Sequence, residues 1–150
     1  MFKNRLKYVN ILLGDVQVNR SELRKKIMTI LYQIFLYENN KIEYNVDDVI
    51  KESMEIENEF VNEVVHGVLD NRNDIIKIAN KHLNDWTIDR LGINDQAILS
   101  MGIYELVYTD TPEIVSINES VELAKEYSDE KVKNMINAVL DSIYHGETNE

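Results

Sequence analysis

One proline, Pro112, interrupts a chain of 150 residues, and only five glycines accompany it. Proline and glycine are the residues that most readily end regular structure. A chain with so few of them, and many Leu, Ile, Glu, Lys and Ala, is biased towards helices joined by short loops. No stretch of useful length alternates apolar and polar residues as a half-buried strand would. Hydrophobic residues make up 44% of the sequence, enough to close a core. The length suits one such core.

Helical spacing of apolar residues places the elements. Ser21 reads as an N-cap, followed by the stripe Leu23, Ile27, Ile30, Leu31, Ile34 and Phe35, which Asn39-Asn40 stops. A short acidic helix is expected over 46–53. A longer one is expected over about 55–70, with Ile56, Phe60, Val64, Val65 and Val68 facing inward. The next covers about 72–84, with Ile75, Ile76, Ala79 and Leu83 inward, and Trp86, Ile88 and Leu91 bridge onward. Asn94 is expected to cap a helix to about 109, with Ala97, Ile98, Met101, Tyr104 and Tyr108 as its stripe. After Pro112, Ser116-Ile117-Asn118-Glu119 has the spacing of a capping box for a helix to about 127. Ser128 or Asp129 opens the last helix, lined by Val132, Met135, Ile136, Val139, Leu140 and Ile143. The expectation is an all-α bundle of about seven helices. It has a basic N-terminal extension over 1–19, a short helix or a mobile arm, and a single domain over 20–150.

The absence of cysteine removes thiolate nucleophiles, disulfides and cysteine-ligated metals. Phosphate loops, dinucleotide fingerprints and nucleophile elbows are also missing. His66, His82 and His145 are scattered. Glu63 and His66 stand three apart, as in di-iron bundles, but those need a second such pair, so a solvated helix face is expected. No enzymatic activity and no cofactor are expected. Apolar runs fall short of the roughly 20 residues that span a membrane. Lys3, Arg5 and Lys7 precede an apolar stretch too short and broken for a signal peptide. A cytoplasmic protein is expected.

Charge is unevenly distributed. The net charge is −11, yet residues 1–41 carry eight Lys and Arg against three Asp and Glu, whereas 42–150 carry eight against 24. Such a chain can offer one end to a polyanion and the rest to a basic protein. Arg20, Arg24, Lys25 and Lys26 cluster at the start of the first long helix, and Tyr32 follows two turns after Arg24. Cations suit phosphates, and an exposed aromatic ring suits an unpaired base. The alternative is a solvated basic face with Tyr32 in the core.

Several motifs add to this reading. They are Trp86-Thr87-Ile88-Asp89-Arg90-Leu91, then Gln96-Ala97-Ile98-Leu99 through Tyr104-Glu105-Leu106. Ile117-Asn118-Glu119-Ser120-Val121-Glu122-Leu123-Ala124-Lys125 and Ile136-Asn137-Ala138-Val139-Leu140-Asp141 follow. With Ile30-Leu31-Tyr32 in the first helix, this series resembles the NusB family over about residues 20–144. The resemblance implies two packed helical subdomains without a catalytic site or cofactor. It also implies pairing with the small-subunit ribosomal protein NusE, binding of boxA-type single-stranded leader RNA, and antitermination of ribosomal RNA transcription. Other Nus factors and RNA polymerase would be reached indirectly, without a membrane, and the protein would be a monomer or a homodimer.

By position, the resemblance carries RNA contact onto Arg20 and Arg24, and partner contact onto Asp89 and Asp95. The chain has Ser21, Glu22 and Leu23 where the family has an arginine-rich run. It has Asn134-Met135 where the family has Lys-Phe, and Ala138 for its glycine. Met135 therefore takes the position of an RNA-contacting aromatic, with Lys131 and Lys133 as neighbouring phosphate contacts. These departures bear on RNA affinity more than on fold, and leave as an alternative a protein-interaction module with weakened or lost RNA binding. A related helical domain precedes some ribosomal RNA cytosine methyltransferases, for whose catalytic domain 150 residues leave no room.

Overall fold

A computed structural model describes residues 20–149, with side chains through 146. The segment 1–19, expected as a helix or an arm, lies outside the described residues. Seven α-helices are present among them: α1 (Arg20–Asn39), α2 (Val46–Ser53), α3 (Glu59–Asp70), α4 (Arg72–His82), α5 (Ile93–Tyr108), α6 (Glu113–Tyr127) and α7 (Glu130–Asn149). A 3-10 turn, Ile88–Arg90, precedes α5.

α5 organises the molecule. Its residues 97–105 are all buried, so this helix is apolar nearly all round and must be covered on every side. α1, α3 and α4 cover one side, and α6 and α7 cover the other. The result is two packed helical subdomains, α1–α4 and α5–α7, around one continuous core. Close approach at the second junction depends on Gly102. A Cβ there would stand 2.6 Å from Ser120 Oγ of α6 and 3.2 Å from Leu140 Cδ1 of α7.

The stripes expected on α1 and α7 are buried, including Ile27, Ile30, Leu31, Ile34, Phe35, Ile136, Val139, Leu140 and Ile143. Four local expectations are corrected. α3 starts at Glu59 rather than near 55, because the Asn58 side chain caps it by accepting from Val61 N–H at 3.0 Å. Ile56 then falls outside the helix and is 79% exposed. α6 starts at Glu113, directly after Pro112, whose fixed φ favours a helix start there. Ser116 is accordingly buried within α6 rather than capping it. α5 starts at Ile93, and the Asn94 side chain donates to the Tyr127 carbonyl instead of capping. Tyr108 is partly exposed at the end of α5, stacked on Tyr104 at 5.7 Å between centroids.

Candidate nucleic-acid and partner interface

α1 turns about 100° per residue, so residues 22, 25, 29 and 32 share one face. Glu22, Thr29 and Tyr32 are exposed there, with Lys25 half-buried among them. Tyr32 thus aligns with Lys25 rather than with Arg24. Lys26 is also exposed, a quarter-turn away.

The two arginines that match the family by position turn inward. Arg24 is 3% exposed, so its expected place as a surface cation is corrected. Its Nε and Nη2 donate to the carboxylate oxygens of Glu105 at 2.9 and 2.8 Å, a two-point pairing within the α1–α5 contact. Arg20 is half-buried and lies over the Phe60 ring of α3, 4.5 Å from its centroid. Arg24 approaches the same ring at 5.4 Å. A buried charge requires such partners because desolvation would otherwise be prohibitive.

Lys25 is held from two sides. Its Nζ lies 3.3 Å from a Glu22 carboxylate oxygen and 3.3 Å from one of Glu126 on α6. These contacts, Glu22 first, raise the pKa of the ammonium above its usual value. The groove between α1 and α6, about 230 Å³, is lined by Ser21, Glu22, Lys25, Glu119, Glu122, Leu123 and Glu126. Ser21 does not cap α1 but donates its hydroxyl to Glu119 at 2.9 Å. The edge of the expected basic face is therefore strongly acidic.

The α6–α7 joint lies at the same end as Lys25, since Glu126 is in the last turn of α6 and α7 starts at Glu130. Asp129 caps α7 by accepting from Val132 N–H at 2.8 Å. Lys131 is exposed and Lys133 half-buried in the first turns of α7. Met135 is half-buried and packs against the core, as its place in the inward stripe of α7 predicted, which leaves only its outer edge for the RNA contact that the family position implies. Its spacing from Val132, Ile136 and Val139 places it at the edge of the inward stripe of α7.

Asp89 is exposed in the 3-10 turn. Asp95, in the first turn of α5, is half-buried and accepts a hydrogen bond from the Ser128 hydroxyl at the same joint. Trp86 is 43% exposed, with the Arg90 guanidinium 5.0 Å from its ring centroid. His66, weighed as a ligand with Glu63, instead contacts Asp47 of α2 at 2.9 Å, while Glu63 is exposed. Among the described residues, no helix is long and apolar enough to cross a membrane.

Sequence reasoning missed Glu105, Glu119 and Glu126, which set the electrostatics of the basic helix. Glu105 carried a readable signal. It is the lone carboxylate in a run that is otherwise apolar or small from Ala97 to Val107, and such a residue demands a buried partner. Glu119 and Glu126 carried none, because acids on an amphipathic helix are common.

Seven described helices packed around one continuous core, with charged groups on the helix faces and helix starts, define an all-α bundle protein. Comparison with known proteins makes this specific. The pattern of the NusB family matches residues 21–145. The transcription antitermination protein NusB of Campylobacter jejuni strain 81-176 is 40% identical over 127 residues, covering 83% of this chain and 94% of that protein. That of Listeria innocua is 41% identical over 128 residues, covering 84% and 96%. Among solved structures, NusB of T. maritima superposes with a TM-score of 0.72 at 26% identity, covering 84% of this chain and 90% of that one. A chain from the crystal structure of antitermination factors NusB and NusE in complex with double-stranded RNA superposes with a TM-score of 0.73. Its identity is 29%, covering 85% of this chain and 96% of that one. The chain belongs to the NusB family.

Proposed function

We propose that this protein is a transcription antitermination factor that pairs with ribosomal protein NusE and binds boxA-type leader RNA. In this role it helps RNA polymerase read through terminators in ribosomal RNA operons. It acts in the cytoplasm, by recognition rather than catalysis, and needs no cofactor. The observation that carries the reading is family membership across all seven described helices, joined to likeness with a chain from the NusB–NusE–RNA complex. The exposed face of α1, with Lys25, Lys26 and Tyr32, and the start of α7, with Lys131 and Lys133, form the RNA side. Asp89 and Asp95 offer negative charge to a basic ribosomal protein.

The test is binding of a labelled single-stranded boxA-type RNA, with and without purified NusE, at two salt concentrations. Salt-sensitive binding that tightens with NusE is expected. No complex with NusE and no RNA binding would overturn the reading. A second reading, a partner-binding module with weakened RNA affinity, is favoured by buried Arg24 and by the glutamates around Lys25. A stable NusE complex with no gain in RNA affinity would select it.

A further inference from the structure

Lys25 is the one cation among the described residues lining the α1–α6 groove, and four carboxylates, Glu22, Glu119, Glu122 and Glu126, line it too. They do not stand equally. Glu119 is engaged by the Ser21 hydroxyl and lies 3.8 Å from Arg24. Glu22 and Glu126 share Lys25 alone, each at 3.3 Å. Both are half or more exposed, so neither is locked in place by packing. Lys25 also shares its face of α1 with exposed Tyr32, whose ring is available for a base. A phosphate reaching Lys25 therefore competes with two carboxylates for the ammonium and approaches the others.

We infer that Glu126 and Glu22 act as an internal competitor for Lys25, holding RNA affinity down until a phosphate exchanges with the Glu126 carboxylate. Glu126 is the determining residue, since it links α6 to α1, whereas Glu22 lies one turn from Lys25 on the same helix. This inference rests on the RNA-binding reading above. It goes further by assigning the level of affinity to residues outside the RNA contact itself. It also accounts for a basic helix in a chain of strongly negative net charge: the cations are present, but one is held in reserve.

The experiment titrates the same labelled boxA-type RNA with the full chain and with Glu126→Gln, Lys25→Gln, the double variant Lys25→Gln/Glu126→Gln, and Glu22→Gln/Glu126→Gln. Glu52→Gln, an exposed site on α2, controls for net charge alone. Thermal melts confirm that each variant folds. Glu126→Gln is expected to tighten binding about two- to five-fold, the range for removing one exposed competing charge at contact distance. The salt slope should steepen by about 0.7, the increment for one more phosphate neutralised on a single strand. The gain should vanish in the Lys25→Gln background, and Glu52→Gln should not reproduce it. Glu126→Gln binding like the parent or like Glu52→Gln, or a gain that survives Lys25→Gln, overturns the inference while leaving the RNA reading standing. Binding by Glu126→Gln and by Glu22→Gln/Glu126→Gln, with none by the parent or by Glu52→Gln, supports it in its strongest form. No binding by any variant removes the RNA reading and the inference together.

Discussion

Arg24 shows how one residue type at one position can serve two opposite ends. On the surface it would bind phosphate; here both of its forward donors engage Glu105 in the interior. Removing one member of such a pair leaves the other buried and uncompensated, whereas removing both can be nearly neutral. Arg24→Met is therefore expected to cost about 3–5 kcal/mol in urea unfolding. Arg24→Met/Glu105→Leu should recover most of that loss. If the single variant costs no more than the roughly 1 kcal/mol of an exposed pair, the side chain is not the buried anchor described here.

Between elements, a clamp of side chains joins the end of α1, the 40–45 connection and the start of α4. Tyr44 stacks on Tyr37 at 6.1 Å and donates its hydroxyl to Glu38. Glu38 also pairs with Arg72, whose guanidinium sits 4.1 Å from the centroid of the Phe35 ring. Burial, and then the bond to Glu38, push the Tyr44 pKa from 10.0 to about 12. The folded state thus holds the phenolic proton more tightly than the unfolded chain does. Its contribution to stability is complete below the unfolded value of 10.0 and declines as pH rises towards about 12. Unfolding midpoints measured across that window should fall with pH. Tyr44→Phe should flatten the part of the fall that belongs to this clamp, and an unchanged pH profile in Tyr44→Phe would remove the clamp from the explanation.

For the whole molecule, the uneven charge of the chain is only partly an uneven charge of the surface. The basic helix α1 lies against acidic α6, so the cations are distributed among buried, paired and exposed positions. Two of the exposed ones, Lys26 on α1 and Lys131 on α7, lie on different helices, and Asp89 lies on the 3-10 turn before α5. Separate surfaces predict separable effects. Lys131→Gln/Lys133→Gln should reduce RNA affinity while leaving NusE binding intact. Its salt dependence should flatten by about 0.7 for each phosphate that the lysines no longer neutralise. Asp89→Lys should slow association with NusE and leave RNA binding by the isolated protein unchanged. Both would be read by titration of each partner alone, and loss of both activities in either variant would mean that the surfaces are not separate.

Helix number, helix type, the inward stripes of α1 and α7 and family membership were all legible in the residue order, because apolar periodicity and chain breakers act over a few residues. The resemblance carried by the motifs between Trp86 and Asp141 extends the same local information to the fold. Helix starts were less legible. Asn58 and Pro112 outcompeted the expected starts near 55 and at Ser116, and no single-residue signal ranks neighbouring candidates. Which charges are buried or paired was decided by tertiary structure alone. Arg24 and Glu105 lie 81 residues apart in sequence. Lys25 and Glu126 meet only because α1 and α6 are brought together at one end of the bundle. A side chain's periodicity says which way it points from its own helix; its electrostatic role depends on what another helix places opposite it.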